Sequence, residues 1–317
     1  MTFLAIQQTA FRRLKFADSP DSSVSTRIKD AINQWHRNTL VVPGIGNKLR
    51  RVQIARATTA SRASYGVPFS KILHITERSN DRRLIKRSLD WYRTAFADPT
   101  QHEGTPLWWV QEGQTRIERP PADASELFIK STSASDTGTA YVEVIRSGGY
   151  RRSLSVVMTG TTAVSLGAAI TDVVDIVDFF ISAAAVGTIT LHEDSGTGTE
   201  LARIAIGELY PRYLQVAFAP TPSAAITYFI DGIPDTVDMS VSTDEPLLPR
   251  DFHDLLVDGA VYEEWLSDGK VREAGILRGQ IEEKTRRLRG WLWQQSEQDY
   301  DEGRLIRQED EFTLPIT

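Results

Sequence analysis

LPRDFHDLLVDGAVYEEWLSDGKVREAGILRGQIEEKTRRLR, residues 248–289, is the stretch whose reading decides the fold. Phe252, Leu255, Leu256, Gly259 with Ala260, Tyr262 and Leu266 recur at steps of three and four, so one face of a helix must be buried. Pro249 can open a helix without losing a hydrogen bond, and Asp251 puts negative charge in the first turn, where the helix dipole favours it. Asp268-Gly269 supplies the left-handed residue that stops it. The period restarts after Lys270 through Val271, Ala274, Leu277, Ile281 and Leu288, with Glu283 four residues before Arg287 as a supporting pair. The expectation is two antiparallel helices that cannot be stable alone and need further helices to cover them.

Working outward, the spacing of Phe3, Ile6, Ala10 and Leu14 predicts a helix over 3–16, broken by Ser19-Pro20-Asp21. A second helix over 24–37 shows Val24, Ile28, Ala31, Ile32 and Trp35 on one face, and VVPGIG ends it in a turn-rich loop. Residues 49–76 read as extended. Asn80 or Asp81 can cap a third helix over 82–97, with Leu84, Ile85, Leu89, Tyr92 and Phe96 on its face. Two helices before the β segments and two after them would form one bundle with the hairpin.

From Thr105 to Ser240 the apolar period changes to two. Leu154/Val156/Met158, Ile189/Leu191, Ala202/Ile204/Ile206 and Leu214/Val216/Phe218 alternate with polar residues, between Gly, Ser, Thr, Asp and Pro clusters. That pattern predicts an immunoglobulin-like β-sandwich at about 132–210. Strand, Pro turn and strand are written twice around it. Thr115–Glu118, RPPADAS and Phe128–Lys130 come before the sandwich; Tyr213–Phe218, APTPSAA and Tyr228–Asp231 come after it. The sandwich is therefore expected as an insertion between two equivalent hairpins, an idea that requires the hairpins to pack together.

A chain of 317 residues can bury a sizeable core in two compact units. Its 41% hydrophobic and 25% charged residues are those of a globular chain rather than a disordered one. The absence of cysteine excludes a disulfide framework and thiolate chemistry, and five scattered histidines argue against a His-rich metal site. The formal net charge of -6 is unevenly spread. Residues 1–130 carry 21 basic and 12 acidic side chains, 131–235 carry 5 and 11, and 236–317 carry 10 and 19. Such asymmetry suits electrostatic matching to other chains or to nucleic acid, or simply differing solvated faces. Arg12 and Arg13 interrupt the N-terminal apolar run, so no secretory signal is expected. Asp175 and Asp178 make 173–191 a poor membrane span.

Catalytic motifs are missing. Gly44-Ile45-Gly46 lacks a third glycine, Gly196-Thr197-Gly198 falls in a hairpin-type turn, and HExxH, GxSxG and CxxC do not occur. Asp172 and Asp178 fall on one face of a strand and Asp175 on the other, as on an exposed edge. His253 between Asp251 and Asp254 could act as a general base, although a polar helix start explains it as well. Of the adjacent Trp108 and Trp109, one must face a core. Trp291 and Trp293 suit either a core or an interface. Arg12, Arg13, Lys15, Lys48, Arg50, Arg51, Arg56, Arg62, Arg82, Arg83, Lys86 and Arg87 could neutralise phosphates, without a base-reading element to make the contact sequence-specific. The terminal DEGRLIRQEDEFTLPIT alternates Phe312, Leu314 and Ile316 with other residues and suits either strand addition onto another chain or a disordered tail.

DEPLLPRDFHDLLVDGAVYEEWLSDGK resembles the C-terminal helices of head-to-tail adaptor (connector) proteins of tailed bacteriophages. MTFLAIQQTAFRRL and KDAINQWHR resemble the same family's first helices, and RLIKRSLDWYR, GTPLWWVQEG, RPPAD and APTPSA its middle. The resemblance implies an α+β fold: an adaptor-type helical bundle with a small β element, carrying the inserted immunoglobulin-like β-sandwich. Its expected parts are an adaptor core over 1–131, the sandwich over 132–210 and the rest of the core with a docking tail over 211–317. The implied function is that of a structural virion protein, not an enzyme and without cofactor or metal. It forms a dodecameric ring at the head-to-tail interface, assembled in the host cytoplasm. Implied partners are the portal protein, a downstream tail or nozzle protein and, non-specifically, the genomic DNA in the channel, with no membrane. By position, Trp291, Trp293, Phe312, Leu314 and Ile316 would face the portal. A carbohydrate- or receptor-binding module using the sandwich is the alternative, and a wall-polymer hydrolase, which needs paired carboxylates, ranks lower.

Overall fold

The computed structural model describes residues 1–317 except 18–19, 43, 99–100, 123 and 311–317, and describes side chains as far as residue 294. The chain divides into two compact units, residues 1–51 with 236–317 and residues 52–235. These divisions lie at 51/52 and 235/236, whereas those expected from the sequence lie at 131/132 and 210/211.

The first unit is helical. Helices α1 (Phe3–Arg13), α2 (Ser22–Val41) and the single turn α3 (Gly46–Leu49) come from the front of the chain. The second unit holds strands β1 (Val52–Ala57), β2 (Ser64–Val67), β3 (Lys71–Glu77), β4 (Arg82–Arg83) and β5 (Ile85–Arg87), then helix α4 (Leu89–Ala95). Strands β6 (Glu103–Gly104), β7 (Trp108–Thr115), β8 (Leu127–Ser131), β9 (Thr139–Arg146), β10 (Arg151–Val157) and β11 (Val164–Ser165) follow. The unit ends with β12 (Val173–Ile181), β13 (Ile189–Glu193), β14 (Glu200–Ile204), β15 (Tyr213–Ala219), β16 (Thr221–Pro222) and β17 (Thr227–Ile233). A 3-10 turn (Arg250–Phe252), α5 (Asp254–Ser267) and α6 (Val271–Asp310) complete the helical unit.

The helical hairpin forms where the periodicity puts it. Gly269, at φ +74°, ends α5, with Lys270 N–H donating to Trp265 O (2.8 Å) and Gly269 N–H to Leu266 O (3.1 Å). These are the two bonds of a Schellman stop. Leu255, Leu256, Ala260, Leu277, Ile281 and Leu288 share one core with Phe3, Ile6, Ile28 and Ile32. Gly259 lets α2 approach closely, since a Cβ there would lie 2.3 Å from the Trp35 ring. Helix α6 runs for 40 residues, about 60 Å at the standard rise.

The whole chain does not have the fold of an adaptor-type helical bundle. It is mostly β-strand in small sheets, with only about 29% helix, and the α+β adaptor-type reading is corrected accordingly. Four sheets of three or four strands, a number and size like those of a four-bladed β-propeller, hold nearly all of its strands, with one two-stranded ladder besides. The first sheet runs β1-β17-β3-β4 and the second β2-β15-β7-β5. Tyr65, Ile75, Trp109, Phe218, Tyr228 and Ile230 from both form one core. The other two sheets, β10-β9-β12 and β11-β8-β13-β14, enclose a second core of Ile129, Val142, Phe179 and Leu191 among others.

Those last two sheets are a sandwich, but not an immunoglobulin one. An immunoglobulin constant domain puts its first, second, fourth and fifth strands in one sheet. Here the first, fourth, sixth and seventh of seven strands share a sheet. Alternation fixes which face of a strand is buried and says nothing about its neighbour, which is why the sandwich was legible and its topology was not.

The two hairpins around it are also corrected. β8 belongs to the sandwich and β17 to the sheet with β1, so neither hairpin forms. Instead β7 pairs directly with β15, Thr115 opposite Tyr213 and Trp108 opposite Ala219. The chain leaves one strand for the sandwich and returns on that strand's neighbour. The expected helix over 82–97 is shortened to α4. Arg82–Arg83 and Ile85–Arg87 are taken by pairing with β3 and β7, Asp81 sits at φ +47° in the turn, and Ser88 caps what remains. Tertiary pairing overrides a helical period this short.

Candidate functional site

On α6, the turn at 291–293 sorts its three large residues by environment. Leu292 is buried in the helical core, Trp291 is 38% exposed and Trp293 is 62% exposed. Two residues apart on a helix, the tryptophans flank Leu292 on either side. Trp291 lies 6.3 Å from the Phe252 ring, and the Lys48 ammonium stands 5.7 Å from Trp293 while donating to Leu292 O at 2.7 Å. Sequence placed these tryptophans near a helix end, but α6 continues to Asp310. Phe312, Leu314 and Ile316, expected beside them at a portal, lie outside the described residues.

The catalytic candidates are accounted for by structure. His253 is buried, with Nε2 2.8 Å from Leu248 O and Nδ1 2.7 Å from the Met1 amine. Asp172 bonds Arg146 (2.7 Å), whose hydrogen bond holds its carboxyl below the usual range. Both oxygens of Asp178 accept from the Nη1 of Arg116 (2.8 and 3.0 Å), and β-bulges at 173/175 and 176/178 break the alternation assumed for the three aspartates. Trp109 is the core member of its pair, and Trp108 packs 5.3 Å from Trp91. Among the described residues no group of His, Asp or Glu could hold a metal ion, and no helix is long and apolar enough to cross a membrane.

The basic residues of the front half separate into classes that the sequence does not distinguish. Arg13 reaches Asp258, and Arg82 reaches Glu77 at 2.7 Å. Lys86 and Arg87 are exposed, their charges 5.0 and 5.2 Å from the Trp109 and Trp91 rings. Arg56 and Arg62 line a cleft of about 370 Å³ with Arg119, Tyr65, Pro121 and Glu193. Arg56 binds Glu118, Glu118 O (2.7 Å) and Gly66 O (3.2 Å). Burial lowers the Arg56 pKa against the pull of Glu118, and lowers that of Arg62 to about 10. Sequence reasoning passed over Arg119 and Tyr65, and no local signal marks them: β1, β2 and the segment after β7 meet only in the fold. It also passed over His74, whose Nε2 lies 2.8 Å from the buried Asp231 carboxylate, joined by Gln53 at 3.1 Å.

Two further aromatics stand on the open face of the three-stranded sandwich sheet. Tyr141 and Phe180, opposite each other on β9 and β12, stack at 5.0 Å and 14° and are 37% and 38% exposed.

The sequence matches no protein-family model and no curated protein.

Proposed function

We propose that the chain is a structural virion protein, the subunit of a head-to-tail adaptor ring that joins the portal of a tailed bacteriophage to the tail and surrounds the DNA channel. One observation carries the reading. MTFLAIQQTAFRRL, KDAINQWHR and DEPLLPRDFHDLLVDGAVYEEWLSDGK, three of the stretches that carry the resemblance, come from opposite ends of the chain and contribute Phe3, Ile6, Ile32, Leu256 and Ala260 to one core. Twelve copies form the ring. Helix α6, with Trp291 and Trp293, and the residues after it, with Phe312, Leu314 and Ile316, meet the portal. The ring's far side meets a tail or nozzle protein, and its basic side chains contact DNA without sequence preference. The work is done by interfaces, with no catalysis and no cofactor, at the head-to-tail joint of the virion after assembly in the host cytoplasm.

The test is the mass of the complex formed with the portal protein of the same genome, with and without residues 301–317. Twelve copies per portal ring, lost on deletion, are expected. No association with either form overturns the reading.

A second reading rests on Tyr141 and Phe180. A paired, half-exposed aromatic face is a surface on which a sugar ring can stack, so the sandwich as a carbohydrate- or receptor-binding module remains the competitor. It requires glycan binding that the Phe180→Ala variant loses.

A further inference from the structure

We propose that the cleft of Arg56, Arg62 and Arg119 is a binding site for a phosphate group. The inference is independent of the adaptor reading. Each guanidinium comes from a separate segment: Arg56 from β1, Arg62 from the β1–β2 turn and Arg119 from the segment that leads into the sandwich. Two carboxylates touch the cluster or its walls, and Asp175 acts on Arg62 from beyond ion-pair distance. Glu118 is shared between Arg56 and Arg119, the latter at 3.4 Å, and Glu193 is already occupied by the Ala122 N–H at 2.8 Å. Arg62 has no carboxylate within ion-pair distance among the described residues, so no direct contact neutralises its guanidinium.

The donors are not used up within the chain. Arg62 Nε is spent on Ser64 O (2.9 Å) and its plane lies 5.0 Å from the Tyr65 ring, which fixes its fork. The Nε atoms of Arg56 and Arg119 are buried without a partner, and Arg56 is only 5% exposed. A buried donor without an acceptor is costly, and an incoming oxyanion offsets that cost. Burial of Arg62, with Arg56 and Arg119 close by, also disfavours its charge, and an anion in the cleft removes that penalty. The cleft is prearranged: Arg56 holds the carbonyls of Gly66 and Glu118 together, and Gly66 is there because a Cβ would lie 2.3 Å from Ile117 O.

A carboxylate ligand offers two oxygens to one fork, whereas a phosphate can accept from Arg62 and Arg119 together while Arg56 stays on Glu118 and its two carbonyls, so the arrangement favours phosphate. That phosphate comes either from a small molecule or from a nucleic-acid backbone, and the two sources share the same chemistry.

The experiment titrates inorganic phosphate into the full-length protein by calorimetry, with acetate at equal ionic strength as control, and repeats it with Arg62→Gln and Arg119→Gln. Saturable phosphate binding is expected, with acetate not binding and each folded variant weakened about tenfold or more, since each removes a charge-assisted fork. A short duplex that competes with phosphate, and loses that competition in Arg62→Gln, assigns the site to a nucleic-acid backbone; a duplex that leaves phosphate binding unchanged assigns it to a small phosphate. No saturable binding, equal binding of acetate, or affinity unchanged in both variants overturns the proposal.

Discussion

The helical unit and the sandwich bury their carboxylates in different ways. In the helical unit Asp258 and Glu264, both nearly inaccessible, are held by cations from other helices. Arg13 and Lys284 (2.6 Å) hold Asp258, and Arg27 grips Glu264 at 2.9 and 3.2 Å. In the sandwich, Asp136 accepts from the Val186 and Gly187 N–H groups (2.8 and 2.9 Å) and the Ser131 hydroxyl, and Glu193 accepts from the Ala122 N–H. The cause is the backbone. Interior helix N–H groups are all spent on carbonyls four residues back, so a buried anion there needs a side-chain cation. Loops between strands have N–H groups to give. The helical unit is thus tied together by long-range charge, while the sandwich pins its own loops.

Breaking this contrast should cost most at Asp258. Asp258→Ala leaves Lys284 with Asp254 alone and frees the half-exposed Arg13, so a loss of about 3 kcal/mol is expected in denaturant unfolding of the full chain. A change under 1 kcal/mol would mean that the helices are held by packing alone.

Acid should separate the two regions next. Burial pushes His36 down to about 4, and its Nε2 accepts from the Leu247 N–H (3.2 Å), so it is held neutral. A His pKa depressed in the folded state leaves stability intact above its ordinary value of about 6.5 and removes it as pH falls towards 4, on the order of 3 kcal/mol in all. Burial works against the Asp136 charge, yet its hydrogen bonds outweigh that and lower its pKa, so its contribution holds until pH drops below the ordinary carboxylate range. Hydrogen exchange at pH 4.5, corrected for intrinsic rate, should show helical amides weakened and sandwich amides protected. His36→Gln, which keeps an acceptor for Leu247, should remove the difference; equal weakening of both regions would erase the contrast.

Asp136→Ala should cost about 2 kcal/mol, with exchange rising at 186–188 while α5 is unaffected. Smallest of all, Glu283→Ala at the exposed Arg287 pair should shift stability by about 0.5 kcal/mol or less.

The same contrast explains what could be read in advance. A helix declares its buried face within two turns, so 248–289 announced the hairpin and Gly269 its stop. The cations that staple it, Arg13 to Asp258 and Arg27 to Glu264, lie at the other end of the chain and carry no local mark. A strand such as β13 showed its face by alternation, yet β1 with β17 and β7 with β15 are pairings between residues 98 to 180 positions apart. The candidate site divides in the same way. Trp291 and Trp293 were visible as large residues on a charged helix, whereas the cleft of Arg56, Arg62 and Arg119 exists only once β1, β2 and the segment after β7 are folded together.

The proposed virion role is tested most directly by immunogold electron microscopy of whatever particles are produced by cells carrying the genome that encodes this chain. The account predicts label confined to the single vertex where head meets tail. Label along the tail or on fibres, or none on the particle, would contradict it.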